Sequence, residues 1–366
     1  MLCILAEFFS AAARRYNQLT MNTATPRVPA IVLHKPLQAL NTLGIAASAT
    51  AYLPVSSYAD LQAVRADQSL STMPRLVLGG GSNLVLSSNF DGLVLHLVNQ
   101  GKIVVGEDDN YTIVRAQAGE NWHAFVQWTL NQNLPGLENL SLIPGSVGAA
   151  PIQNIGAYGS ELKDFFHSLT YFDFATGEVC VLDRDACRFG YRDSIFKHEL
   201  RNRAVILEVS FSFPRSWQPN LSYSELANEI SARGLITPSA FEISEAVIAI
   251  RHRKLPDPAV IGNVGSFFKN PFVAHEIHGA LKEKYPQLVS YPQADGSIKL
   301  AAGWLIDQCG WKGRSLGAAG VHEKQALVLI NRGGASGADI LKLAHAIHED
   351  VRLRFGVTLE IEPVVI

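Results

Sequence analysis

The sequence has no excess of charge of either sign, since 31 lysines and arginines are balanced by 33 aspartates and glutamates among 366 residues. A chain with so little net charge has no long-range field that would attract nucleic acid or an anionic membrane surface. We therefore expect neither partner. The composition favours a small-molecule ligand instead.

Cysteine is also scarce. The four cysteines show neither a C-x-x-C spacing nor the density of a disulfide scaffold; they are Cys3, Cys180, Cys187 and Cys309. A chain that does not depend on disulfides suits a reducing compartment, so we expect the cytoplasm. His345 and His348 resemble metal ligands in spacing, but they flank the apolar stripe of a predicted helix and are expected to be solvated, so we predict no metal site.

Long apolar runs are missing too, because none approaches the roughly 20 residues that span a bilayer. The first 20 residues start apolar, but Glu7 interrupts the run and the arginines follow it, which is the reverse of a secretory signal. We expect residues 1–20 to be an N-terminal extension, with Met21 as an alternative start. An interfacial helix is the other interpretation of this stretch.

Length and periodicity indicate several domains of mixed structure, since 366 residues with 48% hydrophobic content exceed one ordinary domain. Residues 76–97 contain short β-rich runs separated by turn residues, and residues 205–213 end in apolar alternation, so both predict strands. Residues 122–130 repeat apolar side chains at helical spacing. The polar stretch 214–223 contains prolines and predicts a domain boundary.

The C-terminal part continues the mixture. Ser239 and Glu242 form a capping box before a helix that ends in basic residues 251–254. Residues 325–331 predict a strand, and apolar residues between 340 and 351 predict a final amphipathic helix. Because strands and helices do not alternate regularly, we predict the α+β class.

Two glycine-rich segments predict a large bound cofactor. The residues from Gly79 to Asn83 follow a strand, and consecutive glycines let backbone N–H groups approach a phosphate. The Rossmann fingerprint fails here because Leu84 stands at its third glycine, so a tight hairpin fits this segment equally well. Residues 143–159 combine glycines, almost no charge and hydrogen-bonding side chains, which is typical of a ligand held by main-chain amides.

Three single residues offer chemistry, each with a plainer alternative. Arg192 lies among aromatic residues and could clamp a carboxylate, or pair with Asp193 at the surface. Lys254 could contact a diphosphate, or suit the C-terminal end of its helix. For Ser266 the G-x-S-x-G motif fails because Phe268 replaces the last glycine, which argues against a hydrolase nucleophile. A proton donor, a phosphate ligand and a turn residue remain open for this serine.

Several long strings resemble one family, the UDP-N-acetylenolpyruvoylglucosamine reductases (MurB). They run in one order along the chain: LGGGSN (78–83), IPGSVGAAPIQNIGAYG (143–159), CRFGYRDSIFK (187–197), KLPDP (254–258), GNVGSFFKNP (262–271), YPQADGSIKLAAGWLID (291–307) and LEIEP (359–363). LNTLGI (40–45) resembles the usual family beginning.

The resemblance implies a vanillyl-alcohol-oxidase (PCMH-type) FAD-binding module followed by a MurB-type substrate domain. The domains it predicts are residues 21–90 (FAD subdomain 1), 91–220 (FAD subdomain 2, with the PCMH-type module at about 46–216), 224–355 (substrate binding) and a C-terminal segment, 356–366, that returns to the flavin site. The cofactor-binding residues it implies are Gly79, Gly80, Gly81, Ser82, Asn83, Gly145, Ser146, Val147, Gly148, Asn154, Ile155 and Gly156. Ala149 and Ala150 replace serines of some members, so backbone donors must serve the flavin phosphates there.

The resemblance also implies the reaction: NADPH reduces FAD, NADP+ leaves, and UDP-N-acetylglucosamine enolpyruvate binds in its place and becomes UDP-N-acetylmuramate. Hydride passes from flavin N5 to the enolpyruvyl methylene. The family's catalytic arginine, serine proton donor and glutamate fall on Arg192, Ser266 and Glu362. Its substrate contacts fall on Tyr158, Tyr223, Lys254, Asn270 and Gln325. We expect a monomer. A flavin oxidase or dehydrogenase with another substrate, and a silent nucleotide-sugar or flavin sensor, are the competing interpretations.

Overall fold

The computed structural model describes residues 30–293 and 295–366, so the predicted extension 1–20, Met21 and Cys3 lie outside the described residues. The chain forms two compact units from discontinuous parts. The first unit comprises the described residues up to Lys35 together with Thr50–Gly80 and Asp91–Ile250. The second comprises Pro36–Ala49, Gly81–Phe90 and Arg251–Ile366.

Strands and helices are mixed along the described chain, in agreement with the predicted α+β class. The strands are β1 (Val32–Pro36), β2 (Ser48–Val55), β3 (Arg75–Leu78), β4 (Leu84–Val85), β5 (Phe90–Leu97), β6 (Lys102–Glu107), β7 (Tyr111–Gln117), β8 (Gly156–Ala157), β9 (Ser160–Glu161), β10 (Phe166–Asp173), β11 (Val179–Asp183), β12 (Ala204–Pro214), β13 (Gly262–Ser266), β14 (Phe272–Val273), β15 (Ser290–Pro292), β16 (Ile298–Leu300), β17 (Ser315–Leu316), β18 (Ala319–Val321), β19 (Val328–Asn331) and β20 (Val364–Val365). The α-helices are α1 (Tyr58–Ala66), α2 (Gln68–Ser71), α3 (Trp122–Asn131), α4 (Ser224–Ala232), α5 (Ala240–Lys254), α6 (His275–Lys284), α7 (Ala302–Gln308) and α8 (Gly337–Phe355). Within residues 30–293 and 295–366, no helix combines the length and apolarity that a membrane span needs.

The first unit contains two sheets. One has the strand order β1-β2-β5-β3, and the other has the order β11-β10-β12-β7-β6 with antiparallel neighbours. The strand predicted at 205–213 is present as β12, which lies in the middle of the second sheet and buries Phe211 and Phe213. The half-buried face that the alternation predicted is wrong for most of the strand, because Ser210 is buried as well. Helix α3 packs there: the ring centroids of Phe125 and Phe211 are 5.0 Å apart. This core supports the turns that carry the candidate site.

The helix predicted after the Ser239–Glu242 capping box is α5. The carboxylate of Glu242 accepts the backbone N–H of Ser239 at 2.7 Å, and Ser239 Oγ accepts the N–H of Glu242 at 3.3 Å. Buried hydroxyls secure the helix, because Ser244 Oγ lies 2.8 Å from Ser141 Oγ and accepts from Gln127 Nε2 at 2.9 Å.

In the second unit, an antiparallel sheet of order β13-β19-β18-β17 packs against α8. The predicted apolar stripe of α8 is buried, including Ile340, Leu343 and Ile347. Strand β19 starts later than the predicted 325–331, because the N–H of Val328 closes a turn onto the carbonyl of Gln325 at 3.1 Å. Near the chain's last residues, β20 pairs in parallel with β4.

Candidate active site

Arg192 lies at the tip of a tight turn in the first unit. Gly190 and Asp193 form an antiparallel bridge, in which the N–H of Gly190 donates to the carbonyl of Asp193 at 3.0 Å. Arg192 itself has φ 54°, a left-handed conformation that costs a non-glycine residue on the order of 1 kcal/mol. Its Nη2 donates to the carbonyl of Gly156 at 2.9 Å, so the guanidinium is held against the second glycine-rich segment.

Neighbouring side chains fix this turn from several directions. Ser194 is buried, and its Oγ donates to the carbonyl of Ile152 at 2.7 Å. Asn154 Nδ2 donates to the carbonyl of Gly190 at 3.0 Å. Asp193 is engaged by His198, whose Nε2 lies 2.8 Å from Asp193 Oδ2. The arginine therefore sits on a braced turn, which suits a clamp of fixed direction.

Glycines let the two predicted cofactor loops approach each other within the first unit. A Cβ added at Gly80 would lie 2.9 Å from Cα of Gly145, and one at Gly79 would lie 2.3 Å from Ser146 Oγ. At Gly148 an added Cβ would lie 2.5 Å from Cβ of Ala118. These glycines are thus required by close backbone approach, as a phosphate-cradling loop demands.

Several donors of the second glycine-rich segment are used within the protein. The N–H groups of Val147 and Gly148 donate to the carbonyls of Glu120 and Ala118, both at 2.9 Å. Ser146 differs: its Oγ is buried and has no hydrogen-bond partner in the described part of the chain. A buried polar atom normally has a partner, so this hydroxyl fits a group such as a cofactor phosphate.

Asn154 was predicted to bind the cofactor, but the structure uses its side chain internally. It is fully buried with φ 44°, its Nδ2 donates to Glu161 Oε2 at 3.0 Å, and its Oδ1 accepts from the N–H of Lys163 at 3.0 Å. The side chain thereby shapes the turn that leads through Ile155 to Gly156. Any cofactor contact at Asn154 therefore falls to its backbone.

We expect Gly80→Ala to lose FAD affinity. The added methyl would press on the backbone of Gly145, and such overpacking costs about 1–3 kcal/mol, or about 10- to 100-fold in affinity. Gly106→Ala is the matched control, because a Cβ at Gly106 meets nothing within 4 Å. FAD titration of the two purified apoproteins checks this, and equal affinities would show that the close approach of the loops is not needed.

In the second unit, Gly81 continues the first glycine-rich loop. It has φ +61°, and an added Cβ would lie 2.0 Å from the carbonyl oxygen of Leu40. The carbonyl of Gly81 also accepts the N–H of Thr42 at 3.1 Å. Beyond it, the carbonyl of Asn83 accepts the N–H of Val364 at 3.0 Å. The segment from Gly81 to Asn83, which includes Ser82, is therefore fixed to the second unit by backbone contacts.

Ser266 ends strand β13 directly after a bulge. The pairing of β13 with β19 shifts register between Asn263 and Ser266, and Gly265 lies between them with φ +70°. Asn263 Oδ1 accepts the N–H of Gly265 at 3.0 Å and stabilises the bulge. Bulges redirect side chains beside functional sites, and Ser266 is exposed while Phe267 and Phe268 behind it are buried. The turn thus presents the hydroxyl and anchors the loop by its two aromatic rings.

The C-terminal segment pairs with the residues that follow Ser266, and this pairing includes Glu362. The N–H of Glu362 donates to the carbonyl of Phe267 at 2.9 Å, and the N–H of Lys269 donates to the carbonyl of Glu360 at 2.9 Å. The side chain of Glu360 is 71% exposed and forms an ion pair with Lys269. The two backbone bonds therefore hold the C-terminal segment against the residues that follow Ser266.

Two of the predicted substrate contacts, Tyr158 and Tyr223, meet in the first unit. Their ring centroids are 5.3 Å apart at an interplanar angle of 83°, an edge-to-face pair. In the second unit, Asn270 Oδ1 accepts the N–H of Ala302 at 2.9 Å and caps α7. Gln325 closes the turn before β19, while Lys254 is the exposed last residue of α5.

His345 and His348 line a pocket instead of a metal site. The pocket has a volume of about 250 Å³ and is otherwise lined by Leu341, Ala344 and Ile361. His348 Nδ1 lies 3.0 Å from the carbonyl oxygen of Leu359, so this imidazole supports the segment that carries Glu362. In the described ranges no three His, Cys, Asp or Glu side chains are grouped to hold a metal ion.

A buried polar pair, Glu138 and Asn139, was not predicted. Glu138 accepts from Trp217 Nε1 at 2.8 Å and from the N–H of Gly136 at 2.6 Å, and burial raises the pKa of this carboxyl. Asn139 beside it is fully buried. The signal was present in LENLSL, residues 137–142, where an acid and an amide interrupt an apolar run.

The chain resembles known proteins along nearly its whole described length. One family model, FAD binding domain, matches residues 49–183, and another, UDP-N-acetylenolpyruvoylglucosamine reductase, C-terminal domain, matches residues 257–366. The UDP-N-acetylenolpyruvoylglucosamine reductase of Burkholderia orbicola is 57% identical over 332 residues, which cover 90% of this chain and 95% of that protein. The protein of the same name from Paraburkholderia phymatum is 57% identical over 331 residues, which cover 90% and 96%.

Solved structures show the same architecture. The UDP-N-acetylenolpyruvylglucosamine reductase (MurB) from Thermus caldophilus aligns with a TM-score of 0.64 over 93% of this chain and 98% of that chain. The sequence identity in this alignment is 24%, so the structural likeness shows the fold alone.

Proposed function

Because the chain belongs to the UDP-N-acetylenolpyruvoylglucosamine reductase (MurB) family, we propose that it reduces UDP-N-acetylglucosamine enolpyruvate to UDP-N-acetylmuramate in peptidoglycan synthesis, as a UDP-N-acetylmuramate dehydrogenase. FAD is the proposed cofactor and NADPH the proposed reductant. The observation that carries the proposal is the presentation of Ser266 on a bulge whose next residue, Phe267, is bonded through its backbone to Glu362. This backbone pairing supports the assignment of Ser266 as the proton donor and of Glu362 as its partner in the site.

Ser266 is the proposed proton donor to the α carbon of the enolpyruvyl group. An alcohol is a weak acid, but a carbanion or enolate is basic enough to take its proton when the hydroxyl is fixed in place. The bulge at Gly265 and the buried rings of Phe267 and Phe268 supply that fixation. Glu362, held by its bond to Phe267, is proposed to orient the charged groups or to share a proton with the developing charge.

Arg192 is proposed to bind the substrate carboxylate and to stabilise its enediolate form. The bond from Nη2 to Gly156 orients the guanidinium, a planar group whose geometry suits two-point binding of a carboxylate. Because the turn is braced by Ser194 and Asn154, the donors need little reorganisation when charge develops.

FAD is proposed to bind at the two glycine-rich segments, and when bound it supplies the hydride that the enolpyruvyl methylene carbon receives. The buried Oγ of Ser146 and the close approach of Gly80 to Gly145 support this assignment. Ala149 has no hydroxyl and its N–H donates to the carbonyl of Ser146 at 3.1 Å, so the Ser146 hydroxyl is the side-chain donor on this turn.

The remaining assignments are proposals as well. We propose that Tyr158, Tyr223, Lys254, Asn270 and Gln325 contact the nucleotide sugar, and that the protein acts as a monomer in the cytoplasm. Within the described residues Cys180, Cys187 and Cys309 are free thiols, which supports a reducing compartment. The predicted boundaries of the flavin and substrate domains stay part of this proposal.

The test of the proposed function is anaerobic NADPH oxidation by the purified holoenzyme. We expect oxidation to depend on UDP-N-acetylglucosamine enolpyruvate and on bound FAD, with UDP-N-acetylmuramate as the product in mass spectrometry. In a parallel aerobic assay, rapid oxygen consumption without the enolpyruvyl sugar would favour the flavin oxidase instead. Binding of the sugar without turnover would favour a sensor.

We expect Glu362→Gln to lower the rate at which the enolpyruvyl sugar is reduced by about 10²-fold, because the carboxylate would no longer act on the developing charge. Glu360→Gln is the matched control: its side chain is exposed and pairs with Lys269, so its rate should stay within about twofold. Single-turnover kinetics of both variants check the assignment. The opposite ranking would move the catalytic role to Glu360.

A further inference from the structure

One buried amide connects the two loops that carry the tyrosine pair. Asn139 has no exposed surface, and its Nδ2 donates both to the carbonyl of Tyr158 at 2.7 Å and to the carbonyl of Asn220 at 2.9 Å. Tyr223 lies three residues after Asn220. A single NH₂ group therefore fixes the backbone of one tyrosine and the approach to the other.

Asn220, in the loop before Tyr223, donates in turn to the loop that follows Tyr158. Its Nδ2 donates to the carbonyl of Gly159 at 2.9 Å and to Ser160 Oγ at 3.1 Å. Its Oδ1 accepts from the N–H and the hydroxyl of Ser222, at 3.1 and 2.7 Å. The loop before Tyr223 is thus hydrogen-bonded to the turn after Tyr158 from both sides.

The two loops are also closely packed at the contact between Gly159 and Ser222. Gly159 has φ +85°, and a Cβ there would lie 2.5 Å from Ser222 Oγ. Tyr158 has φ 49°, a left-handed conformation that an aromatic residue adopts only when its surroundings hold it. The edge-to-face arrangement of the rings is therefore imposed by the loops instead of arising from the rings alone.

The choice of asparagine at 139 is poorly explained by stability. Within the described residues, Asn139 Oδ1 is buried and has no hydrogen-bond partner. An unpaired buried acceptor is costly, so the fold tolerates this amide for the sake of its two donors. At this position the amide supplies two N–H donors, one for each of the two loops.

We propose that Asn139 and Asn220 are positioning residues, which hold Tyr158 and Tyr223 in the arrangement that receives a nucleoside diphosphate sugar. The inference rests on the proposed function, because it takes both tyrosines as substrate contacts. Asn139 acts through the tyrosine loops, since its two donors are occupied by their carbonyls. By joining the two loops, the amides stabilise the arrangement in which the rings contact the ligand, so they act on affinity and leave the chemical step alone.

The test compares Asn139→Asp and Asn220→Asp holoenzymes with wild type. Aspartate keeps the shape and the acceptor but removes the NH₂ donors. Asn202→Asp is the matched control, because Asn202 is exposed with φ 59° and the change adds the same charge. Each holoenzyme is reduced with dithionite and mixed with UDP-N-acetylglucosamine enolpyruvate at increasing concentration. UDP binding to the oxidised holoenzymes is measured by calorimetry.

For both loop variants we expect the apparent dissociation constants of the enolpyruvyl sugar and of UDP to rise about tenfold, with the limiting reoxidation rate within about twofold of wild type. Asn202→Asp should match wild type. Unchanged constants in Asn220→Asp, or a lower limiting rate with unchanged constants, would overturn the inference. If Asn139→Asp does not fold, the half-exposed Asn220 decides the question alone. Failure of wild type itself to reduce the sugar would instead refute the proposed function.

Discussion

Ser266→Ala is expected to uncouple the two halves of the catalytic cycle. Flavin reduction by NADPH should stay within about twofold of wild type, whereas reoxidation by the enolpyruvyl sugar should slow by about 10²- to 10⁴-fold, the usual cost of losing a positioned acid. The physical reason is that the hydroxyl at the end of β13 is needed only when the α carbon must be protonated. Stopped-flow absorbance of the flavin follows both steps separately.

The control for this variant is Ser315→Ala, which removes an exposed hydroxyl from β17 of the same sheet. It should leave both half-reactions unchanged. Because Ser266 is exposed and Phe267 and Phe268 stay in place, the alanine should fold normally. If both half-reactions slowed equally, the serine would serve ligand binding or the turn, and the proton-donor role would be wrong.

Arg192→Lys is expected to lower kcat/KM for the enolpyruvyl sugar by about 10²- to 10³-fold, although the charge is kept. Lysine is a flexible point charge, so it cannot hold the carbonyl of Gly156 and present a planar pair of donors to a carboxylate at the same time. Steady-state kinetics with NADPH at saturation measure this loss.

Arg188→Lys is the matched control for Arg192→Lys. Arg188 lies in the same loop, has φ 47°, and forms an exposed ion pair with Glu199. An exposed pair contributes little, so this variant should keep wild-type kinetics. Near-normal turnover of Arg192→Lys would show that a positive charge alone suffices. It would contradict two-point binding of the substrate carboxylate by the guanidinium.

The family and the fold class could be predicted from the sequence, and both are confirmed by the comparisons. These features could be predicted because they depend on local sequence. Glycines 79–81 and the uncharged stretch 143–159 indicate by their residue types that two backbone segments approach closely, and the spacing of apolar residues in α8 indicates which face of the helix is buried. The predicted catalytic and binding residues stay predictions until the variants are measured.

Other features depend on contacts between distant residues and could not be predicted. Backbone bonds of Glu360 and Glu362 join the last residues to the segment after Ser266, nearly a hundred positions earlier, and no local pattern predicts this pairing. The hydrogen bonds of Asn139 reach loops that follow it by about 20 and 80 residues, and no local pattern predicts these two partners. Gly265 takes the left-handed φ of a bulge, and this bulge arises only where β13 pairs with β19.

The most direct test of the central claim is a single anaerobic turnover. The holoenzyme is reduced with one equivalent of NADPH and then mixed with UDP-N-acetylglucosamine enolpyruvate, while flavin absorbance and product mass are recorded. We predict full reoxidation of the flavin, with one sugar molecule per flavin gaining two hydrogens to become UDP-N-acetylmuramate. A flavin that stays reduced in the presence of the sugar, or one that is reoxidised without forming this product, would contradict the account.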